Sequence, residues 1–158
     1  MIRHARPDDL PQILTIYEAA RQFMAQTGNP DQWTDGYPAS ELLEEDIRME
    51  RLYVAASSSG IRGAFVFMDG PEADYATLQG RWLDEAPYQV IHRFASKGGG
   101  VAREVFAWAM ARTDSLRIDT HADNAPMRHV LEREGFTNVG ELTLANGDKR
   151  QGYHKIRK

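Results

Sequence analysis

Three consecutive glycines, Gly98-Gly99-Gly100, join a strand-like apolar stretch, Tyr88 to Ala95, to a helix-periodic stretch, Val101 to Met110. No other feature constrains the fold as strongly. Glycine takes positive φ without steric cost and lets another group approach the backbone closely. A helix starting directly after such a turn presents unpaired N–H groups and a partial positive charge. The segment Ser96-Lys97-Gly98-Gly99-Gly100-Val101-Ala102 is therefore a candidate socket for a phosphate or pyrophosphate, held mainly by backbone. A flexible turn is the plainer reading of the same residues.

The chain's 158 residues suit one domain, 1–158, with a core of its own. No window is long and apolar enough for a membrane span, and Met1-Ile2-Arg3-His4-Ala5 opens no apolar signal segment. There is no cysteine, which removes disulfides, thiolate zinc sites and cysteine nucleophiles together. That fits a cytoplasmic protein. A net charge of −4 argues against a broad hold on nucleic acid. Neither a membrane nor a nucleic acid is expected as partner.

Ile2 to Ala5 suggests a short strand, followed by a helix from Asp8 or Asp9. There Leu10, Ile13, Leu14, Tyr17, Ala20 and Met24 recur at helical spacing. Thr27 to Pro38 breaks the pattern, and Ser40 is a candidate cap for a helix over Glu41 to Met49. Leu52 to Ala56 and Ile61 to Met68 predict a hairpin turning at Ser57-Ser58-Ser59-Gly60. Asp69 to Ala86 reads as irregular. After the Tyr88–Ala95 strand and the glycines comes a helix to Arg112, then a strand over Leu116 to Thr120. A helix from Pro126 to Glu134 stops at Gly135, and Phe136–Leu144 and Gln151–Ile156 close the sheet around Asn146-Gly147. The expected fold is α+β, with a mixed sheet.

A P-loop needs Lys-Ser/Thr after its last glycine, and here Val101-Ala102 follows. The spacing G-x-G-x-x-G is absent, although Asp119 stands at a Rossmann-like distance. Lys97-Gly98-Gly99-Gly100-Val101-Ala102 instead matches, save for Lys at its first position, the pattern Gln/Arg-x-x-Gly-x-Gly/Ala. A second match runs from Ile118-Asp119-Thr120-His121 through Asn124-Ala125-Pro126-Met127 to Leu131 and Gly135-Phe136. In these motifs and in element order the whole chain resembles the GNAT superfamily of acetyl-CoA-dependent N-acyltransferases.

The resemblance implies the GNAT (acyl-CoA N-acyltransferase) fold, a mixed central sheet flanked by helices. It implies acetyl transfer from acetyl-CoA, as co-substrate, to a small-molecule amine by direct attack. Backbone N–H groups of Gly98, Gly99, Gly100, Val101 and Ala102 would hold the pyrophosphate, with Lys97 keeping a positive charge. Phe94, Ala95 and Ser96 would pair with the pantetheine arm as an added strand. Asn124 would contact the same arm, and it is equally a helix cap. The chain departs from the pattern at Lys97, in a shorter loop before the glycines, and at Leu131. Leu131 stands where the family often has a tyrosine as general acid, and leucine carries no proton to give.

Attack needs a neutral amine, and an alkylamine of pKa about 10.4 is almost wholly protonated at pH 7. A base is therefore expected. Asp119 and His121, two apart at a strand end, share a face, so His121 is the leading base candidate with Asp119 orienting it. Capping and loop bonding are the alternative for both. Tyr153 is a spare candidate for the acid, or a packing tyrosine. Trp33, Tyr37, Trp82 and His92 are candidates for the acceptor pocket, with a place in the core as the plainer alternative for each. Asp119, His121 and Asp123 lack metal-ligand spacing, so no metal is expected. Homodimers are common in the family. The rival reading is a catalytically silent relative that only binds acyl-CoA, which Leu131 favours.

Overall fold

The computed structural model describes residues 1–158. Its strands are β1 (Ile2–His4), β2 (Leu52–Ser57), β3 (Gly60–Asp69), β4 (Gln79–Gly80), β5 (Gln89–Ser96), β6 (Ser115–Thr120), β7 (Thr137–Thr143) and β8 (Lys149–Ile156). Its helices are α1 (Leu10–Gln26), α2 (Ser40–Arg48), α3 (Val101–Met110) and α4 (Ala125–Arg133). The eight strands form one mixed sheet in the order β1-β2-β3-β5-β6-β8-β7-β4. Only β5 and β6 run parallel, the others pairing antiparallel.

Strand alternation explains how one sheet carries helices on both faces. On β2 and β3, Leu52, Val54, Ala64 and Val66 pack with Ile13 and Tyr17 of α1 and Leu43 of α2. Their neighbours Ala55 and Phe65 point the other way, to Val105, Phe106 and Ala109 of α3 and Leu131 of α4. A strand buried on both sides has no polar face, and the sequence shows it as the unbroken run Gly63-Ala64-Phe65-Val66-Phe67-Met68. A third, smaller cluster joins Tyr75, Trp82, Val90 and Leu142 beneath the segment linking β3 to β5.

Most expected elements are present, with shifted ends. Ser40 opens α2 rather than capping it; Ala39 is the cap, and Ser40 Oγ reaches only Glu44 at 3.5 Å. α1 is preceded by a 3₁₀ turn, Pro7–Asp9. The segment read as irregular holds another such turn, Ala73–Thr77, and the two-residue strand β4. α4 ends as expected: Gly135 takes φ +90°, and the N–H of Phe136 reaches back to the Leu131 carbonyl at 2.9 Å.

His154 of β8 is fully buried. Its Nδ1 accepts the Leu83 N–H at 3.0 Å, so the ring proton sits on Nε2, which donates to Ser115 Oγ at 2.8 Å. Burial, aided by the Arg117 charge, lowers its pKa to about 4. In the unfolded chain the imidazole takes a proton near pH 6.5. The neutral form therefore stabilises the fold fully above about pH 6.5, and that contribution is lost as pH falls toward 4. Denaturant unfolding at pH 7 and pH 4.5 is expected to show a loss of about 2 kcal/mol from this group. The loss should be absent from the His154→Gln variant, whose residual pH dependence comes from the carboxylates and the other histidines.

Candidate functional site

The sheet opens between its two parallel strands. β5 pairs with β6 only at Gln89 with Leu116 and Val90 with Arg117, and beyond these the strands part. The pairing of β5 with β3 also slips there: Val66 faces His92, but Ala64 faces Ala95. One residue of β3 is thus set against two of β5, Arg93 and Phe94, which makes a β-bulge. Arg93 sits at φ +52°, a region costing a non-glycine residue on the order of 1 kcal/mol.

Several bonds hold that conformation. Asp46 of α2 is fully buried and accepts Arg93 Nε and Nη2, each at 3.0 Å. Arg93 Nη1 donates to Tyr37 Oη at 3.1 Å. Tyr17 Oη donates to the Arg93 carbonyl at 2.6 Å, and burial lifts that phenol far above its usual range, so it stays a donor. Asp46 also takes Arg51 Nε at 2.6 Å. A buried carboxylate needs such partners to remain charged.

Past the bulge, the Lys97 N–H donates to the Arg62 carbonyl of β3 at 2.9 Å. Alternation then turns the amides of Phe94 and Ser96 away from β3, toward the opening. Gly98 and Gly100 have φ of +82° and +84°, where other residues are strained. Arg62 Nη2 donates to the Gly99 carbonyl at 2.9 Å and steadies the turn. The first α3 amide with a backbone acceptor is Glu104, bonded to Gly100 at 3.1 Å. The amides of Gly98 through Arg103 therefore have no partner within the chain. Gly63 lets this helix end approach the sheet, since a Cβ there would lie 2.7 Å from Val101 Cγ1.

A cleft of about 1130 Å³ runs from the glycine turn past the opening to the end of α1 and the loop at 27–39. Trp33, Tyr37, His92, Asp119 and Asn124 line it, together with Phe94, Ala95, Ser96, Lys97 and the glycines. Trp33 packs edge-on against Tyr17 at 5.6 Å and near Tyr37 at 6.1 Å. Trp33 thus rests on a core tyrosine and also lines the cleft. Asn124 Oδ1 accepts the Met127 N–H at 3.2 Å, the cap expected at α4, and Nδ2 donates to Gln32 Oε1 at 3.0 Å. Gln32 Oε1 also receives Thr120 Oγ1 and the His121 N–H, each at 3.2 Å. This single amide ties the loop to β6 and α4, and nothing in its polar sequence context marks it.

Where β5 and β6 part, two acid pairs face the cleft. His92 Nε2 meets Glu72 Oε2 at 3.0 Å, and that bond holds the Glu72 carboxyl below its usual range. Tyr88 Oη accepts the Glu72 N–H at 2.9 Å and fixes the segment. Across the opening, Tyr75 Oη donates to Asp119 Oδ2 at 2.8 Å. Burial raises the pKa of Asp119, and raises that of Tyr75 well above the ordinary phenol value.

The expected Asp119–His121 pair does not form. β6 ends at Thr120, so strand alternation stops one residue short of His121. Asp119 turns to Tyr75, while His121 lies outside the cleft and its Nδ1 accepts the Asp123 N–H at 3.0 Å. Tyr153 also lies outside: fully buried beside Ile118, its hydroxyl accepts Arg128 Nε at 2.9 Å. Trp82, expected at the pocket, is a core residue instead. Its indole N–H donates to the Tyr75 carbonyl at 3.0 Å and the Arg117 guanidinium covers its ring at 4.2 Å. Leu131 is fully buried in the α3–α4 core. Glu72 and Tyr75 escaped the sequence reading because they lie in its irregular segment.

Across its full length the chain is similar to an acetyltransferase of the GNAT family from Streptococcus agalactiae 2603. The identity is 31%, over 95% of that chain, with a TM-score of 0.89. A GNAT-family acetyltransferase from Listeria monocytogenes 4b F2365 shares the fold at 21% identity, over 99% of this chain and 94% of that one, with a TM-score of 0.70. So does a ribosomal-protein-alanine N-acetyltransferase from Brucella melitensis, at 21% identity, over 99% of each chain, with a TM-score of 0.63. No family model and no curated protein matches the chain.

If Asp46 holds the bulge, Asp46→Ala leaves Arg93 strained and without its counter-ion. Urea unfolding is expected to show a loss of about 3 kcal/mol. A loss under about 1 kcal/mol would mean that the bulge is held by other contacts.

Proposed function

The chain belongs to the GNAT family of acetyltransferases, and from that premise we propose that it moves an acetyl group from acetyl-CoA to a small-molecule amine by direct attack. One observation carries the reading: the opening between β5 and β6 leads straight into the unpaired amides of Gly98 to Arg103. An opened strand edge accepts an extended amide-bearing arm, and a helix start behind a glycine turn accepts a diphosphate. The residues present thus suit acyl-CoA in shape, polarity and order. Phe94 and Ser96 would meet the arm, and Gly98 to Ala102 the diphosphate, with Lys97 and Arg133 at the rim. Bound there, acyl-CoA supplies the activated carbonyl.

The chain's own residues handle the protons. His92 uses Nε2 toward Glu72, which leaves Nδ1 as the free lone pair, and His92 lines the cleft where the strands part. We assign His92 as the base that strips the attacking ammonium, oriented by Glu72, in place of His121. Tyr75 keeps its proton on Oη through the whole neutral range, committed to Asp119, so the departing thiolate is protonated by the proton that His92 has taken from the ammonium. Asp119 holds that hydroxyl in place.

Release of free CoA, followed with a thiol reagent over a panel of amines, tests the assignment. The chain has no cysteine and adds no background. Turnover is expected, with His92→Ala lowering kcat about a hundredfold and Tyr75→Phe lowering it less. CoA binding without turnover of any amine would mark a silent relative. A loss in His121→Ala with His92→Ala unaffected would return the base to His121.

A further inference from the structure

Asp46 is shared by two arginines, and the two are not equally used. Arg93 spends all three of its nitrogens, Nε and Nη2 on Asp46 and Nη1 on Tyr37. Arg51 spends only Nε, on Asp46 Oδ1 at 2.6 Å. Its Nη1 and Nη2 have no partner in the chain, its side chain is 26% exposed, and it lines the cleft. The neighbouring carboxylate, Glu45, is engaged by Arg48 through both oxygens. A guanidinium held by a fully buried carboxylate, with its forked end free, is preorganised for a second carboxylate.

Its place in the cleft says what else the ligand carries. Arg51 and Arg93 meet on one carboxylate, and Arg93 directly follows His92 in β5. His92 pairs with Val66, which packs on the α1–α2 side of the sheet where Asp46 of α2 holds Arg51, so an anion at Arg51 lies on the same side as the proposed base. Phe23, Leu42 and Met68 give the same cleft apolar lining. Glu72, bonded to His92, and Asp74 add negative charge to the cleft lining.

We propose that the acceptor is an amino acid with an apolar side chain, its carboxylate held by the free fork of Arg51 and its amine presented to His92. This rests on the acetyl-transfer reading and narrows its acceptor. Arg51 is a binding group for the acceptor and takes no part in the proton transfers.

The test sets L-leucine against L-leucinamide and L-methionine against L-methioninamide, at saturating acetyl-CoA, with rates expressed per neutral amine. Calorimetry of the same four compounds on the CoA-loaded protein gives a readout independent of turnover. The free acids are expected to be favoured at least tenfold in kcat/KM and to bind more tightly. In Arg51→Gln the acid-to-amide ratio is expected to fall at least fivefold, with Arg51→Lys intermediate, since lysine keeps the charge and loses the fork. Amides that match the acids, a ratio unmoved by Arg51→Gln, or CoA binding with no binding of leucine or methionine would each overturn the proposal. If Arg51→Gln fails to fold, the wild-type acid-to-amide ratio and the calorimetry still decide. Absence of CoA binding would instead sink the acetyl-transfer reading beneath it.

Discussion

The site depends on one ion pair, the forked bond between buried Asp46 of α2 and Arg93 of β5. It holds an arginine in left-handed backbone geometry inside a strand. Without the extra residue at that point, β5 would stay in register with β3 along its whole length. With it, the strand bends, its last residues swing away from β6, and backbone groups that a sheet would consume are left free. A buried carboxylate is costly to desolvate, and the bonds from two arginines meet that cost. The structure thus places its most demanding polar cluster directly behind its most irregular backbone.

The glycine turn extends the same logic. Bulge and turn lie within eight residues of each other, from Arg93 to Gly100, and both leave amides pointing into one cleft. The two-faced sheet makes this tolerable. α3 and α4 bury one side and α1 and α2 the other, so the opening interrupts the hydrogen-bond ladder without exposing the core.

Local features were legible in the sequence. The glycine turn, the hairpin at Ser57–Gly60 and the Gly135 stop each follow from a few adjacent residues. The family resemblance came from such local motifs, and the fold followed from it. The polar pairs were not legible, because each joins residues far apart in the chain: Asp46 to Arg93, Glu72 to His92, Tyr75 to Asp119. Strand alternation suggested an Asp119–His121 pair, but alternation holds only while the strand lasts, and β6 ends between them. Trp82 and Tyr153 look like site residues in isolation. Both carry a polar edge that bonds within the core, as buried aromatics commonly do. Gln32, in a polar loop, gave no signal at all, because its role is to accept bonds from elements distant in sequence.

The proposed acyl transfer would then follow from where backbone is left unpaired, with side chains assigned to proton transfer and selectivity. Amide hydrogen exchange with and without CoA tests that claim most directly. Slowed exchange at Phe94, Ser96 and Gly98 to Arg103 on adding CoA, with β2 and β7 unchanged, is the predicted result. Protection confined to other segments, with those amides exchanging as before, would contradict it.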